Sequence, residues 1–212
     1  MATKKSRRIF KPLVFLAALI PLGWLVFALY SDTVLGTKYM TADPVQKLDR
    51  ELGDWALIFI ILALSVRPLA EIFKKGELVA YRRMIGLFAF FYVCLHLSAY
   101  IGLNLQLDLD EFIKDVTKRN FITIGIINFA LLTPLAITST KGMIKRLGGR
   151  RWQKLHMLIY PIALLGVFHF FMMIRADFSR PATYLAVILV LLAYRYWVKW
   201  KKTHPKKEPA TA

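Results

Sequence analysis

Long apolar runs alternate with charged connections along almost the whole chain. A transmembrane α-helix needs about 20 mainly apolar residues to cross the bilayer core, and most of these runs reach or approach that length. The runs cover 12–30, 55–66, 84–105, 121–137, 155–174 and 182–198. The pattern predicts an all-α integral membrane protein. We expect a bundle of six transmembrane helices over 12–198, between basic tails at 1–11 and 199–212.

The second run is the shortest of the six, and two interpretations of it are open. Its uninterrupted apolar core, 55–66, has about 12 residues, which by itself favours a segment that does not span. The run becomes long enough if the helix continues through Ile72 while the Arg67 side chain extends toward the membrane surface. We expect a span. The polar segment before it, 31–50, is expected to be the longest connection outside the tails.

Positive charge is distributed unevenly between the two ends of the predicted bundle. Most of the 30 Lys and Arg residues lie in the tails and in the second and fourth connections, whereas most of the 13 acidic residues lie in or beside the other three. Connections rich in Lys and Arg stay on the cytoplasmic side, so we expect both termini to be cytoplasmic. A cytoplasmic N-terminus of this bundle requires that the first apolar run stays in the protein as a transmembrane helix and is not a cleaved signal peptide. The run ends in Phe27, Leu29 and Tyr30 rather than in the small-residue cleavage site of a signal peptide.

The composition limits the partners and the metal sites that can be expected. Hydrophobic residues make up 57% of the chain and the mean hydropathy is +0.48. The net charge of +17 therefore reflects membrane topology, and no nucleic-acid partner is expected. Cys94 is the only cysteine. A disulfide within the chain, a cysteine-based zinc site and an iron–sulfur cluster each need more than one cysteine, so all three are excluded.

Two predicted spans carry histidines at matching depths. His96 in the third run and His169 in the fifth lie at nearly the same distance from the basic ends of helices that run in the same direction. Ionisable side chains are costly inside a membrane and commonly mark a functional site. A lone histidine can equally serve as a hydrogen-bond partner between helices. Because facing imidazoles are a standard way to hold haem iron, we predict that His96 and His169 are axial ligands of one b-type haem toward the outer face.

A third histidine lies near the basic end of the fifth span. His156 precedes His169 by thirteen residues, or about 20 Å along a helix. The corresponding positions of the third span are Arg82 and Arg83, which are poor iron ligands but can bind haem propionates or the anion of a flavin or quinol. We predict His156 as a ligand of a second, inner haem, with an interfacial histidine as the alternative. Pro161 is expected to kink the helix between the two histidines.

Three segments together resemble the ferric-reductase-like transmembrane domain, the haem-carrying six-helix module also found in NADPH oxidases. They are YRRMIGLFAFFYVCLH, which ends at His96, TPLAITS at the end of the fourth span, and KRLGGRRWQKLHMLIY, which contains His156 and precedes His169. The RLGGRRWQKLH segment is most similar to haem-binding membrane subunits of bacterial periplasmic methionine sulfoxide reductase systems. NADPH oxidases hold two haems with four histidines, whereas the fourth position here falls at Arg82 or Arg83.

The resemblance implies an electron-transfer subunit of the bacterial inner membrane. Such a subunit takes electrons from the quinol pool or a cytosolic flavin reductase and passes them to a periplasmic molybdopterin enzyme that reduces methionine sulfoxide in oxidised proteins. It also implies haem b, one or two per chain, and FMN, for which no residue can be named. The sequence has no GxGxxG segment, so we do not expect it to draw on NADPH by itself. No residue is predicted to act as a catalytic acid, base or nucleophile.

Two other functions fit parts of the pattern. A transmembrane ferric or cupric reductase would use the same haem, with cations attracted by the carboxylates of the third connection, Asp108, Asp110, Glu111 and Asp115. A non-redox transporter or assembly subunit would use the histidines as proton relays or packing groups. The presence of a Soret band in the absorption spectrum of the purified protein separates the haem-based hypotheses from the last one.

Overall fold

The computed structural model describes residues 4–204, with side chains for residues 10–204. All regular structure in this part of the chain is helical. In chain order the elements are α1 (Lys4–Val34), α2 (Pro44–Ile72), a 3₁₀ segment (Gly76–Tyr81), α3 (Arg82–Ala99), a π-helical turn (Tyr100–Asn104), α4 (Leu109–Lys118), α5 (Asn120–Ile137), α6 (Lys141–Leu147), α7 (Gly149–His156), α8 (Ile159–Met173) and α9 (Ser179–Thr203).

Six helical segments are long and apolar enough to cross a membrane, which confirms the predicted all-α, six-span fold. They are Phe10–Val34, Pro44–Ile72, Gly76–Asn104, Asn120–Ile137, Gly149–Met173 and Ser179–Thr203. We call the end of the bundle that carries connections 73–81 and 138–148 the basic end. The opposite end, with connections 35–43, 105–119 and 174–178, is called the acidic end.

Four helices form the centre of the bundle. α2 packs against α3 and α8, and α5 packs against the same two helices, so α3 and α8 lie between α2 and α5. α1 packs outside α2 and α3, and α9 packs outside α2 and α8. α2 is the most buried of the six spans, because half of its apolar membrane-spanning stretch is buried against neighbouring helices. A side chain that points inward from α3 can therefore meet one from α8 within the central four helices.

α2 begins earlier than the hydrophobic pattern predicts. The prediction of a polar connection over 31–50 is wrong, because only 35–43 lies between α1 and α2. Asp43 caps α2 by accepting a hydrogen bond from the Gln46 amide, and the proline between them is favoured at the first helical position. The acidic residues that follow, including Asp49, are thus placed on a helix of the bundle and not in a solvated loop.

The predicted tails also contain helix. α1 starts at Lys4, inside the predicted tail 1–11, and α9 continues to Thr203, inside the predicted tail 199–212. Residues 205–212 of that tail lie outside the described part of the chain. Basic residues can extend a transmembrane helix beyond its apolar core because their long side chains reach into the headgroup region.

Tyr92 of α3 joins α1 to the centre of the bundle. Its hydroxyl donates a hydrogen bond to the Ala18 carbonyl (2.9 Å) and accepts one from the Leu22 amide (3.2 Å). These two backbone groups are four residues apart in α1, and Pro21 lies between them. The Tyr92 ring is fully buried and stacks on Phe59 of α2, with centroids 5.2 Å apart. One hydroxyl of α3 therefore bonds both a carbonyl and an amide of α1.

We expect Tyr92→Phe to lower the free energy of unfolding by about 1–3 kcal/mol, because it removes two hydrogen bonds between α3 and α1. Chemical unfolding of the purified protein in detergent, followed by circular dichroism, measures the change. Tyr30→Phe is the matched control, since Tyr30 is 58% exposed and its change should stay within about 0.5 kcal/mol. Equal stability of the two variants would contradict the role assigned to the Tyr92 hydroxyl.

Candidate cofactor site between two histidines

His96 on α3 and His169 on α8 meet inside the central four helices. Their ring centroids are 6.3 Å apart and their ring planes are inclined by 78°. Two imidazoles bonded to opposite sides of one metal ion, each through a nitrogen at about 2 Å, have ring centroids roughly 6 Å apart. The two rings therefore have the separation of a pair of axial ligands on a single iron.

A main-chain carbonyl of a neighbouring helix orients each ring. His96 Nδ1 lies 2.9 Å from the Asp49 carbonyl oxygen on α2, and His169 Nδ1 lies 2.7 Å from the Phe121 carbonyl oxygen on α5. A carbonyl oxygen can only accept, so Nδ1 of each ring carries the proton. Within residues 10–204, neither Nε2 has a hydrogen-bond partner. This arrangement is typical of metal-binding histidines, and it leaves the lone pair of each Nε2 for a metal ion.

The Asp49 side chain adds a negative charge beside one of the two rings. Its Oδ1 lies 2.9 Å from His96 Nδ1, and the aspartate side chain is 14% exposed. The hydrogen bond itself goes to the Asp49 main-chain oxygen, while Oδ1 has no hydrogen bond in the described part of the chain. The carboxylate thus acts on the imidazole through its charge. A carboxylate near the Nδ1 proton strengthens an imidazole as a metal ligand, so His96 is the stronger donor of the pair.

Each histidine also lies against a glycine. A Cβ built at Gly53 would stand 3.2 Å from His96 Cε1, and one built at Gly125 would stand 3.2 Å from His169 Cε1. Both distances are shorter than ordinary carbon contacts, so glycine lets each ring lie directly on the helix beside it. In α2 the residue whose carbonyl accepts the histidine hydrogen bond lies four residues before the glycine, and the same spacing recurs in α5. The two halves of the site are therefore built in the same way.

His156 lies at the basic end, at the last residue of α7. Its Nε2 is 3.1 Å from the Thr138 hydroxyl, which donates its only proton to the Pro134 carbonyl at 2.6 Å. The hydroxyl therefore accepts from His156, and Nε2 carries the proton. The Trp152 ring stacks on the imidazole at 4.0 Å and donates Nε1–H to the Thr138 carbonyl. His156 is thus in the opposite tautomer to the other two histidines.

The segment between His156 and His169 has a short helical break within the span Gly149–Met173. α7 ends at His156, and α8 starts three residues later with Pro161 in its first turn. Proline has no amide proton, and its ring crowds the carbonyl four residues earlier, so it ends the hydrogen-bond ladder of α7. The disturbance predicted at Pro161 is found as this break. Because of this break, the directions of the two histidine side chains cannot be calculated from the rotation per residue of an ideal α-helix.

The two predicted arginines differ in their surroundings. Arg82 is half-buried and Arg83 is exposed. Arg82 lies within electrostatic range of His156, Tyr160 and Arg195. Of the two, Arg82 is therefore the one near His156.

Two carboxylates of the acidic end have structural roles. Asp108 caps α4 by accepting a hydrogen bond from the Glu111 amide at 2.9 Å. Asp115 is buried, accepts a hydrogen bond from the Tyr100 hydroxyl and pairs with Arg119 at 3.0 Å. Among the described residues no group of three or more His, Cys, Asp and Glu side chains is placed to hold a metal ion.

Several residues of this site were not identified from the sequence. Asp49 and Gly53 lie on one face of α2, and the cap at Asp43 was the signal that could have placed them on that helix. Phe121 contributes a main-chain carbonyl, and such a contribution cannot be recognised from the residue type. Gly125 resembles any small residue that packs helices in lipid, so the sequence did not distinguish it.

Comparison with known proteins agrees with this architecture. The profile of the family described as ferric reductase like transmembrane component matches residues 22–167, a range that contains His96 and His156 and ends just before His169. The chain is 43% identical to the protein-methionine-sulfoxide reductase heme-binding subunit MsrQ of Caulobacter vibrioides, over 93% of this chain and 90% of that protein. It is 43% identical to the MsrQ of Herminiimonas arsenicoxydans, over 91% of this chain and 86% of that protein.

A longer relative contains the same region as one part of its chain. The magnetosome protein MamZ of Paramagnetospirillum magneticum is 44% identical over 91% of this chain, which corresponds to only 30% of that protein. The six-span region therefore also occurs within a larger protein. The matched profile covers more than half of the chain and the MsrQ relatives cover nearly all of it, so the chain belongs to the ferric reductase like transmembrane component family.

Proposed function

We propose that this chain is a haem b electron-transfer subunit of the bacterial inner membrane that passes electrons to a methionine sulfoxide reductase. The observation that carries the proposal is the pair of imidazoles on α3 and α8, 6.3 Å apart, each held through Nδ1 by a main-chain carbonyl, with no described hydrogen-bond partner at Nε2. The names of the MsrQ relatives, which describe heme-binding subunits of a protein-methionine-sulfoxide reductase, support the cofactor and the partner. Haem, when bound, supplies the one-electron chemistry of its iron.

The chain's own residues bind and orient the cofactor. His96 and His169 are proposed as the axial ligands. The Asp49 and Phe121 carbonyls fix the tautomer and direction of the two rings, as hydrogen bonds to the other ring nitrogen do in metal-bound histidines. The Asp49 carboxylate makes His96 the stronger electron donor, which stabilises the ferric over the ferrous state. Bulk water is kept away by the surrounding apolar helices.

His156 is proposed as a ligand of a second haem at the basic end. Ligation through Nε2 would replace its hydrogen bond to Thr138, and ligation would require the proton to leave that nitrogen. Arg82 is half-buried and electrostatically close to His156, so its guanidinium can pair with a propionate. Arg83 is exposed and would do so from the membrane surface. A second ligand of this haem would have to come from elsewhere than the corresponding positions of the third span, which are Arg82 and Arg83.

For the second haem we expect His156→Ala to lower the haem content of the purified protein from about two to about one per chain. Spectral titration of the pyridine haemochrome against protein concentration measures the ratio. The remaining haem should keep the low-spin spectrum of the His96 and His169 site. A ratio of one in the unchanged protein, with no decrease in the variant, would reject the second haem and leave the first in place.

The direction of electron flow follows from the proposed topology. Both termini and the basic end are proposed to be cytoplasmic, since that end holds most of the Lys and Arg residues. Electrons would enter there from the quinol pool or from a cytosolic flavin reductase, with FMN as a proposed additional cofactor. The site of His96 and His169 lies toward the acidic end, where α3 and α8 approach the periplasm. The proposed electron acceptor is a periplasmic molybdopterin methionine sulfoxide reductase.

Stopped-flow oxidation of the chemically reduced protein tests this function. The absorbance of the reduced haem should be lost rapidly when the periplasmic reductase and methionine sulfoxide are added together. It should be lost slowly when either is added alone or when ferric or cupric chelates replace them. Faster oxidation by the chelates than by the reductase would favour the metal-ion reductase instead. A purified protein without a Soret band would reject both and favour a non-redox subunit.

A further inference from the structure

A cavity separate from the histidine pair opens at the basic end, between α2 and α9. Its volume is about 220 Å³. Pockets that enclose a whole drug-sized ligand or cofactor usually have about 300–1,000 Å³, so this one suits a smaller group. Its inner wall is apolar and its mouth is cationic. The apolar residues are Leu64, Pro68, Leu191, Leu192 and Val198, and the cationic ones are Arg67, Arg195, Lys199 and Lys202.

Positive charge in this cavity exceeds negative charge. Among residues 10–204, Glu71 is the only carboxylate that lines the cavity. It is already bound to Arg67 at 3.1 Å and accepts a hydrogen bond from the Tyr194 hydroxyl at 3.3 Å. Arg195 lies over the Tyr160 ring, with Cζ 4.9 Å from its centroid, and both residues line the cavity. Four cations around one carboxylate favour an anionic ligand over a neutral one.

The cavity lies at the depth of lipid headgroups. The same turns of α9 that carry its lysines also carry three exposed aromatic residues, Tyr196, Trp197 and Trp200. Tyr and Trp gather at the membrane–water interface, with their rings at headgroup level. The ammonium group of Lys201 lies over the Trp197 ring at 3.9 Å, which also places a charge at this level. An anion that reaches the cavity is therefore most readily supplied by the membrane itself.

We propose that this cavity binds the phosphate group of an anionic phospholipid in the leaflet at the basic end. Lys199, Lys202 and Arg195 would donate hydrogen bonds to the phosphate oxygens, and the first acyl carbons would meet the apolar wall. Basic pockets between transmembrane helices are suited to anionic headgroups. The lipid would hold the peripheral helix α9 against the central helix α2. This inference depends on the helices and charges of the basic end and not on the haem assignment.

Native mass spectrometry and thermal unfolding of the full-length protein in detergent test the proposal. Dioleoyl phosphatidylglycerol is added to the unchanged protein and to two double variants. Lys199→Gln with Lys202→Gln removes two exposed cations of the cavity. Lys141→Gln with Lys145→Gln removes two exposed lysines of α6 at the same end of the bundle and is the matched control. All four positions are at the surface, so both variants should fold.

The unchanged protein and the control should retain the lipid and unfold at higher temperature when it is added. The cavity variant should bind it roughly 30-fold more weakly. Equal binding by the two variants would overturn the proposal, as would equal stabilisation by dioleoyl phosphatidylcholine. If inorganic phosphate without lipid stabilises the protein as strongly and the effect is lost in the cavity variant, the cavity binds soluble phosphate and the lipid assignment is wrong.

Discussion

Replacing His96 or His169 with alanine is expected to lower haem affinity by at least about 100-fold, more than is usual when only a hydrogen-bond partner of a metal ligand is removed. The reason is the geometry of the pair: the ring centroids of the histidines on α3 and α8 are 6.3 Å apart, and among the described residues they belong to no larger group of His, Cys, Asp and Glu that could hold a metal ion. The measurement is the Soret absorbance per mole of purified protein. In the double variant, the haem at this site should be absent.

His204→Ala is the matched control for these variants. His204 is exposed at the end of α9, where it stacks on Trp200, and it has no part in the site. Its removal should leave haem content and spectrum unchanged. Retention of an unchanged Soret band by the double variant of His96 and His169 would mean that the haem is held elsewhere.

Substituting leucine for Gly53 or Gly125 is expected to lower haem content by about tenfold or more, although neither glycine can ligate iron. Even a Cβ would stand 3.2 Å from the Cε1 atom of His96 or His169, and a larger side chain must displace the ring from its carbonyl partner. Helix propensity works in the opposite direction, since replacing an interior helical glycine with a better helix former stabilises the helix by about 0.5–1 kcal/mol. Loss of haem would therefore report the steric contact and not a weaker helix.

Gly86→Leu separates this effect from the general cost of adding a side chain. Gly86 lies in α3, the helix that carries His96, but a Cβ there would meet nothing within 4 Å. This variant should keep its haem. If Gly53→Leu, Gly125→Leu and Gly86→Leu lose haem to the same extent, the glycines have no specific role beside the histidines. The haem content of each purified variant, measured as the pyridine haemochrome, decides between these outcomes.

The common construction of the two half-sites explains why the histidines lie at one depth. In each half a helix supplies a carbonyl and, four residues later, a glycine, and the next long helix packed against it supplies the histidine. The halves differ at one point. The residue that supplies the carbonyl is Asp49 in α2 and Phe121 in α5, so only His96 has a carboxylate beside its Nδ1. The charge of the site is therefore asymmetric although its geometry is not.

The number of spans and their direction could be predicted because they depend on patterns along the sequence itself. Apolar runs of sufficient length define the spans, and the uneven distribution of Lys and Arg suggests their direction. Equal spacing from the basic end was enough to match His96 with His169. The start of α2 was missed because apolar content was used to mark it, whereas the cap at Asp43 and the proline after it determine where the helix begins.

The details of the site depend on contacts between helices that the sequence does not display. The contact between Thr138, at the end of α5, and His156, at the end of α7, joins two segments that the sequence does not show to be neighbours. The cavity beside α9 could not be predicted either. Its lysines belong to a basic segment that the sequence suggests is a solvated tail, but α9 continues through them. Its apolar wall comes partly from α2, which is far away in the chain.

Low-temperature electron paramagnetic resonance of the oxidised protein tests the central claim most directly. Two imidazoles on one ferric iron, with ring planes inclined by 78°, should give a highly anisotropic low-spin signal, because near-perpendicular rings leave two iron d orbitals close in energy. We expect this signal in the unchanged protein and its loss in both His96→Ala and His169→Ala. A high-spin signal alone, or a low-spin signal that persists in either variant, would contradict the assignment of these two histidines to one iron.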